Sequence, residues 1–260
     1  MTIPEAIQRH TDGKKFICDD IGKSDSSIYI YDDMVLKADR NIQNAEICIK
    51  VTEWLDGRLP VPEIIEHEVH DGISYLLMTR IKGQMACDPY FMERPQELYG
   101  HLAESIRKLW SIDISDCPVD RNIGAELREA EYRVENGLVN MSLCEPETFG
   151  KGGFRDPQDL LKWLEDNKPE SDPVLSHGDL CLPNIFVNYN KISGLIDTGD
   201  MGTADRWRDL SLCYRSLKHN ADGTFGMRYE GIEPNMLFYE LGITPDREKL
   251  RYYLLLDELF

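Results

Sequence analysis

The spacing of apolar positions changes character along this chain. Ile28-Tyr29-Ile30-Tyr31 and Met34-Val35-Leu36-Lys37 are β-branched and aromatic runs around Asp32-Asp33, a pattern that predicts two strands joined by a tight turn. Phe16-Ile17-Cys18 predicts the opening of an earlier strand, with a polar turn over residues 22–27. Over residues 46–55 the period becomes helical, with Ile47, Val51, Trp54 and Leu55 on one face. Gly57 stops that helix, and Leu59-Pro60-Val61-Pro62 forbids its continuation. Residues 64–68 and 74–79 predict two further strands around Asp71-Gly72.

After Lys82-Gly83 the pattern turns helical. Leu98, Leu102, Ile106, Leu109 and Trp110 mark a long amphipathic helix, and Leu127, Ala130, Tyr132 and Val134 a second. Residues 146–156 read as a loop and Leu160, Leu161 and Leu164 as a short helix. Residues 177–197 break the helical pattern with loops and two short strands. Residues 209–217 and 247–260 return to it, the last with Leu250, Tyr253 and Leu254 on one face. The expected architecture is α+β: a β-rich lobe with one helix over residues 1–81, a hinge near 78–83, and a larger helical lobe over 82–260.

Composition narrows the function classes. With 260 residues the chain can bury a sizeable core, and 42% hydrophobic and 29% charged residues are ordinary for a globular protein. A formal net charge of −18 repels nucleic acid and anionic membrane surfaces, so neither is expected as a partner, whereas a polycation would be attracted. The N-terminal residues lack the apolar stretch of a secretory signal, and apolar runs fall far short of the ~20 residues a membrane span needs. Seven scattered cysteines with no C-x-x-C pair point to reduced thiols and a cytoplasmic location.

The chemistry concentrates in His177-Gly178-Asp179-Leu180-Cys181-Leu182-Pro183-Asn184-Ile185-Phe186-Val187, followed by Gly194-Leu195-Ile196-Asp197-Thr198-Gly199-Asp200. Phosphoryl transfer needs a carboxylate near the incoming hydroxyl and oxygen ligands for magnesium ions that neutralise a triphosphate. Asp179 fits the first role, orienting the hydroxyl and accepting its proton. Asn184 and Asp197 fit the second, and a hairpin between them would set the two ligands side by side. Taken singly, Asp and Asn in loops are turn formers; it is their order and spacing that suggests catalysis. His177 is expected to hold the loop by hydrogen bonds rather than to act chemically.

His177-Gly178-Asp179-x-x-x-x-Asn184 with Ile196-Asp197-x-Gly199 resembles the signature of the aminoglycoside phosphotransferases, which share the protein-kinase-like two-lobed fold with a cleft between the lobes. Residues 54–62, 111–118, 204–207 and 255–260 resemble the 3′-phosphotransferase branch, the kanamycin kinases, so the likeness spans nearly the whole chain. The resemblance implies transfer of a phosphate from ATP, with GTP an open alternative, to a hydroxyl of a cationic aminoglycoside, with Mg²⁺ as cofactor. It implies that Lys37 contacts the nucleotide phosphates and that Ser24, Ser26 and Ser27 lie over the triphosphate. Thr79 and Ile81 would belong to the adenine hinge, with Phe186 and Ile196 flooring the pocket. Val35 stands where relatives often stack an aromatic ring on adenine.

The glutamate that orients the lysine falls at Cys48 when the helix is counted back from Trp54-Leu55, so either Glu46 substitutes or the ion pair is missing. On the substrate side the resemblance implies Glu145, Glu147, Asp257, Glu258 and Phe260, with Asp200 and Arg215 nearby. Asp200 replaces an Arg common in relatives, His219-Asn220 an acidic pair, and Leu182 an acid found in some of them, which predicts a narrower or altered substrate range. Two other readings remain open: a kinase of another hydroxylated amine such as choline or an amino sugar, and a nucleotide-binding relative without catalysis.

Overall fold

The computed structural model describes residues 3–19 and 26–260. By internal packing the chain divides into two units, Met1–Met85 with Asn184–Asp200, and Ala86–Pro183 with Met201–Phe260. The first begins with helix α1 (Glu5–Thr11), followed by β1 (Ile17–Asp19), β2 (Ser27–Ile30) and β3 (Met34–Asp39). Helix α2 (Ile42–Leu55), β4 (Ile64–His70), β5 (Ile73–Thr79) and the short β6 (Gln84–Met85) complete its N-terminal stretch. Strands β1 to β5 form an antiparallel sheet in the order β1-β2-β3-β5-β4.

Strand β3 buries alternate residues. Met34, Leu36 and Ala38 join Tyr31, Tyr75, Leu77 and Ile7 in one core, where α1 covers the sheet. A strand's period of two sends Val35, Lys37 and Asp39 to the other face. Helix α2 begins at Ile42, earlier than the apolar period shows, because the Asn41 side chain accepts the Asn44 N–H at 3.0 Å and caps it.

The second unit contains α3 (Pro89–Met92), α4 (Pro95–Trp110), α5 (Ile123–Glu135), α6 (Pro157–Asp166) and β7 (Pro173–Ser176). The chain then returns to the first unit with β8 (Ile185–Asn188) and β9 (Lys191–Leu195), a hairpin that pairs with β6 in the order β6-β8-β9. A single cut after residue 81 has no place for this return, which the pairing of Gln84 with Val187 and Met85 with Phe186 enforces. Strand β10 (Gly202–Asp205) and helices α7 (Arg206–Asp222), α8 (Met236–Leu241) and α9 (Arg247–Asp257) finish the second unit. Helix α4 buries Leu98, Leu102, Ile106 and Leu109 along one stripe. Helix α7 packs on α9, and the Tyr252 hydroxyl donates to the Leu164 carbonyl at 2.9 Å, tying α9 to α6. Among the described residues no helix is long and apolar enough to cross a membrane, and the seven cysteines are free of disulfides.

Candidate functional site

In the first unit, Lys37 projects from the sheet face opposite the core. Its Nζ lies 3.1 Å from Asp197 Oδ1, with the lysine side chain 20% and the carboxylate 50% exposed. Burial pulls the ammonium's pKa down, but the charge and hydrogen bond of Asp197 outweigh it, so the pKa lies above its ordinary value and Lys37 is firmly cationic.

Asp197 itself has φ +60°, a left-handed conformation costly for most side chains though Asp tolerates it. The turn after it, Thr198–Asp200, is pinned to α2. The Thr198 hydroxyl lies 2.6 Å from the Thr52 hydroxyl and 3.3 Å from the Cys48 sulfur. Asn184 ends the turn Leu182–Asn184, and its carbonyl accepts the Ile196 N–H at 3.0 Å. The hairpin therefore sets Asn184 beside Ile196, the residue preceding Asp197.

Phe186 pairs with Gly194 across the hairpin. Gly194 has no room for a side chain, since a Cβ there would meet Ile81 at 2.7 Å, so Ile81 lies flat on β9. Phe186 lies within β8, Ile81 packs against its neighbour Gly194, and Ile196 directly follows β9. Thr79 is at the end of β5, where its hydroxyl accepts the Glu63 N–H at 2.9 Å. Ser27 opens β2 opposite Ala38 and is exposed, with Ser26 just before it. Ser24 lies outside the described residues.

Contrary to expectation, Glu46 does not reach Lys37. Glu46 is exposed, while α2 turns Ala45, Cys48, Val51, Thr52 and Leu55 inward. At about 100° per residue, Glu46 faces away from the side that carries Cys48 toward Thr198. The ion pair of Lys37 is made by Asp197, and no glutamate of α2 joins it.

In the second unit, β7 and β10 pair with Ser176 opposite Gly202, and the loop after β7 carries Asp179. Its frame is a carboxylate that the sequence reading did not single out. Asp209, fully buried on α7, accepts the Ser176 hydroxyl at 2.9 Å, the His177 N–H at 2.8 Å and the Gly178 N–H at 2.9 Å. Gly178 has φ +84°, a conformation glycine adopts without strain. His177 is buried, and its Nδ1 accepts the Asp179 N–H at 3.3 Å, which makes it the loop anchor it was expected to be. The Cys181 thiol donates to Asp179 Oδ1 at 3.0 Å. Burial, with the adjacent carboxylate, raises its pKa well above the usual thiol value, so it stays protonated. The signal for Asp209 was present: it shares a helical face with Cys213 and Leu217, which mark that face as buried.

The acids expected on the substrate side only partly converge. Arg215 pairs with Asp257 and lies 3.9 Å from Glu258. The buried Glu258 accepts the Glu145 N–H at 2.9 Å, and His219 Nε2 lies 3.2 Å from the Glu145 carboxylate. Burial raises the Glu258 pKa, only partly offset by the Glu145 N–H, the Cys144 thiol and Arg215. Burial also lowers the His219 pKa, with Glu145 opposing. Glu145, Arg215, Asp257 and Glu258 thus form one cluster whose charges already have partners within the chain. Phe260 is held by Arg133, which donates to the Leu259 and Phe260 carbonyls at 2.8 and 2.5 Å and lies over the Phe260 ring. Glu147 is exposed on the following turn, and Asp200 belongs to the first unit, in the turn after Asp197.

The phosphotransferase enzyme family matches residues 22–239. An aminoglycoside 3′-phosphotransferase of Enterococcus faecalis is 42% identical over 208 residues, covering 80% of this chain and 75% of that protein. The chain belongs to the aminoglycoside 3′-phosphotransferase family. The Staphylococcus aureus 3′-phosphotransferase is 41% identical over 80% of this chain and 76% of its own length. Among solved structures, an aminoglycoside 3′-phosphotransferase of type VIII superposes with a TM-score of 0.82 at 27% identity, covering 98% of this chain and 97% of that one. An aminoglycoside phosphotransferase of Streptomyces rimosus, solved with ADP and streptomycin, has a TM-score of 0.80 at 22% identity, over 97% of this chain and 95% of that one. The protein-kinase-like α+β fold expected from the 3′-phosphotransferase resemblance is the fold observed.

Proposed function

We propose that the chain is a cytoplasmic, ATP- and Mg²⁺-dependent enzyme that transfers the γ-phosphate to the 3′-hydroxyl of an aminoglycoside, with resistance to the drug as the expected phenotype. The observation that carries this reading is the contact of Lys37 with Asp197, 160 positions apart in sequence, beside Asn184 at the base of the same hairpin. A lysine able to hold phosphate oxygens and two hard oxygen ligands then share one small region of the first unit. The Asn184 amide oxygen and the Asp197 carboxylate suit magnesium, which is commonly held by one or two carboxylates together with substrate phosphates. Bound there, the ion neutralises charge on the phosphates. Lys37 binds the nucleotide phosphates, and Phe186 of β8, with Ile81 and Ile196 flanking the hairpin, provides apolar surface for the base. Asp179 orients the sugar hydroxyl and takes its proton. The relative solved with ADP and streptomycin supports a nucleotide and an aminoglycoside as the ligand pair.

The acid cluster supports a restricted substrate range. Ammonium groups of a drug must compete with Arg215 for Asp257 and Glu258, and with His219 for Glu145. Hydrogen bonds to charged groups are worth roughly 1.5–3 kcal/mol each, so a drug lacking one well-placed ammonium should be discriminated strongly. ADP release coupled to NADH oxidation, measured with kanamycin, neomycin, butirosin and amikacin, is expected to give kcat/KM values spread over about tenfold or more, and no turnover of choline. Similar efficiency across the panel would contradict the restricted range. Turnover of choline alone would contradict the aminoglycoside assignment.

A further inference from the structure

In protein kinases, a glutamate on the helix after the lysine-bearing strand orients that lysine toward the nucleotide. Among the described residues no glutamate of α2 is in place to do this. Glu46 faces solvent, and the inward position of α2 is Cys48, whose burial raises its pKa so that the thiol remains neutral. The carboxylate that does hold Lys37 is Asp197, which the proposed function assigns to the metal ion. An ammonium with three donors and a long, flexible stem would need a second carboxylate to keep its direction if Asp197 were engaged by an ion.

One is available. Asp39 follows Lys37 by two positions on β3, so both side chains leave the same face of the strand. Lys37 and Asp39 line one small pocket together with Asn44, Cys48, Ser74 and Gly199. Asp39 Oδ1 accepts the Asn41 N–H at 2.8 Å, which fixes the side chain at the entry to α2 and leaves Oδ2 for the pocket.

We propose that Asp39 is the positioning residue for Lys37, supplying from the same strand the carboxylate that other kinases place on the helix. The inference rests on the nucleotide-binding role of Lys37 given above. It also accounts for the neutral residue at Cys48: with a carboxylate already on β3, the helix can use that position to anchor the Thr198 turn.

Asp39→Asn separates the charge from the fold, because the amide oxygen can still accept the Asn41 N–H. The experiment is calorimetric titration of the full chain with Mg·ADP, which needs no acceptor, together with steady-state kinetics on an aminoglycoside turned over by the wild type. Asp39→Asn is expected to weaken Mg·ADP binding by about tenfold and raise the KM for ATP equally, leaving the aminoglycoside KM within about twofold. Asp39→Glu is expected to recover at least about threefold of that loss, and Glu46→Gln to match the wild type. In a Lys37→Met background Asp39→Asn is expected to add nothing, since a residue acting through Lys37 has nothing left to orient. Binding within about twofold of wild type in Asp39→Asn, an equal loss in Glu46→Gln, or full additivity with Lys37→Met would overturn the proposal. A wild type that binds Mg·ADP but phosphorylates no aminoglycoside would sink the proposed function while the binding series still decides the role of Asp39. A wild type that does not bind Mg·ADP would overturn both.

Discussion

Asp179→Asn is expected to lower kcat by about 10³-fold while leaving the KM for ATP within about twofold, since a positioned general base contributes roughly 10²–10⁴-fold. The size of the loss can be assigned to chemistry because the loop is also held at points other than this carboxylate. Asp209 holds the residues on its N-terminal side, His177 accepts the backbone N–H of residue 179, and the Ser216 hydroxyl accepts the Leu182 N–H at 2.9 Å on the other side. Asparagine keeps the volume and an oxygen for the Cys181 thiol, and removes the charge and with it the capacity to take a proton. Single-turnover measurement of ADP formation reads the chemical step directly. A variant retaining more than about a tenth of the wild-type rate would show that Asp179 is not the base.

Asp209→Ala is expected to cost more than about 3 kcal/mol of stability, a large share of the ~5–15 kcal/mol that holds a typical domain together. The buried carboxylate is the acceptor for three donors, the Ser176 hydroxyl and the His177 and Gly178 N–H groups. Removing it strands these donors in a buried site, at roughly 1–3 kcal/mol for each that finds no other partner. Asp209→Asn keeps one acceptor oxygen and should fall between alanine and wild type. Urea unfolding followed by far-UV circular dichroism checks both variants, and a cost below about 1 kcal/mol for Asp209→Ala would show that the loop is held by other means.

The parts of the fold legible in the sequence were those whose own residues decide them. Strands β2, β3 and β5 carry β-branched and aromatic runs, and α4 and α6 carry a helical apolar stripe, so local pattern and tertiary position agree. Strands β7 and β10 were not visible. They are four residues long, include Pro173, Gly202 and Asp205, and exist because they pair with each other across 202↔176 and 205↔173. Helix α1 was missed because only Ile7 and Thr11 are buried on it, too few to print a period.

The site divides in the same way. Asp179, Asn184 and Asp197 lie within one short stretch whose order carries meaning, and the hairpin joins the Asn184 carbonyl to the N–H of the residue before Asp197. The partner of Lys37 could not be read from spacing, because it depends on which face of α2 turns inward and on a turn 160 positions away. The pairing of His219 with Glu145 is of the same kind, set by how α7 meets a loop with no periodic pattern.

A phosphate that moves from ATP to a sugar hydroxyl leaves its mark on the product. Kanamycin incubated with the wild-type chain and Mg·ATP, then analysed by mass spectrometry and ¹H–³¹P correlation NMR, is expected to carry a single phosphate on the 3′-hydroxyl, one for each ADP released. ADP formed with no phosphate on the drug, or a phosphate found on a different position of the drug, would contradict the assignment.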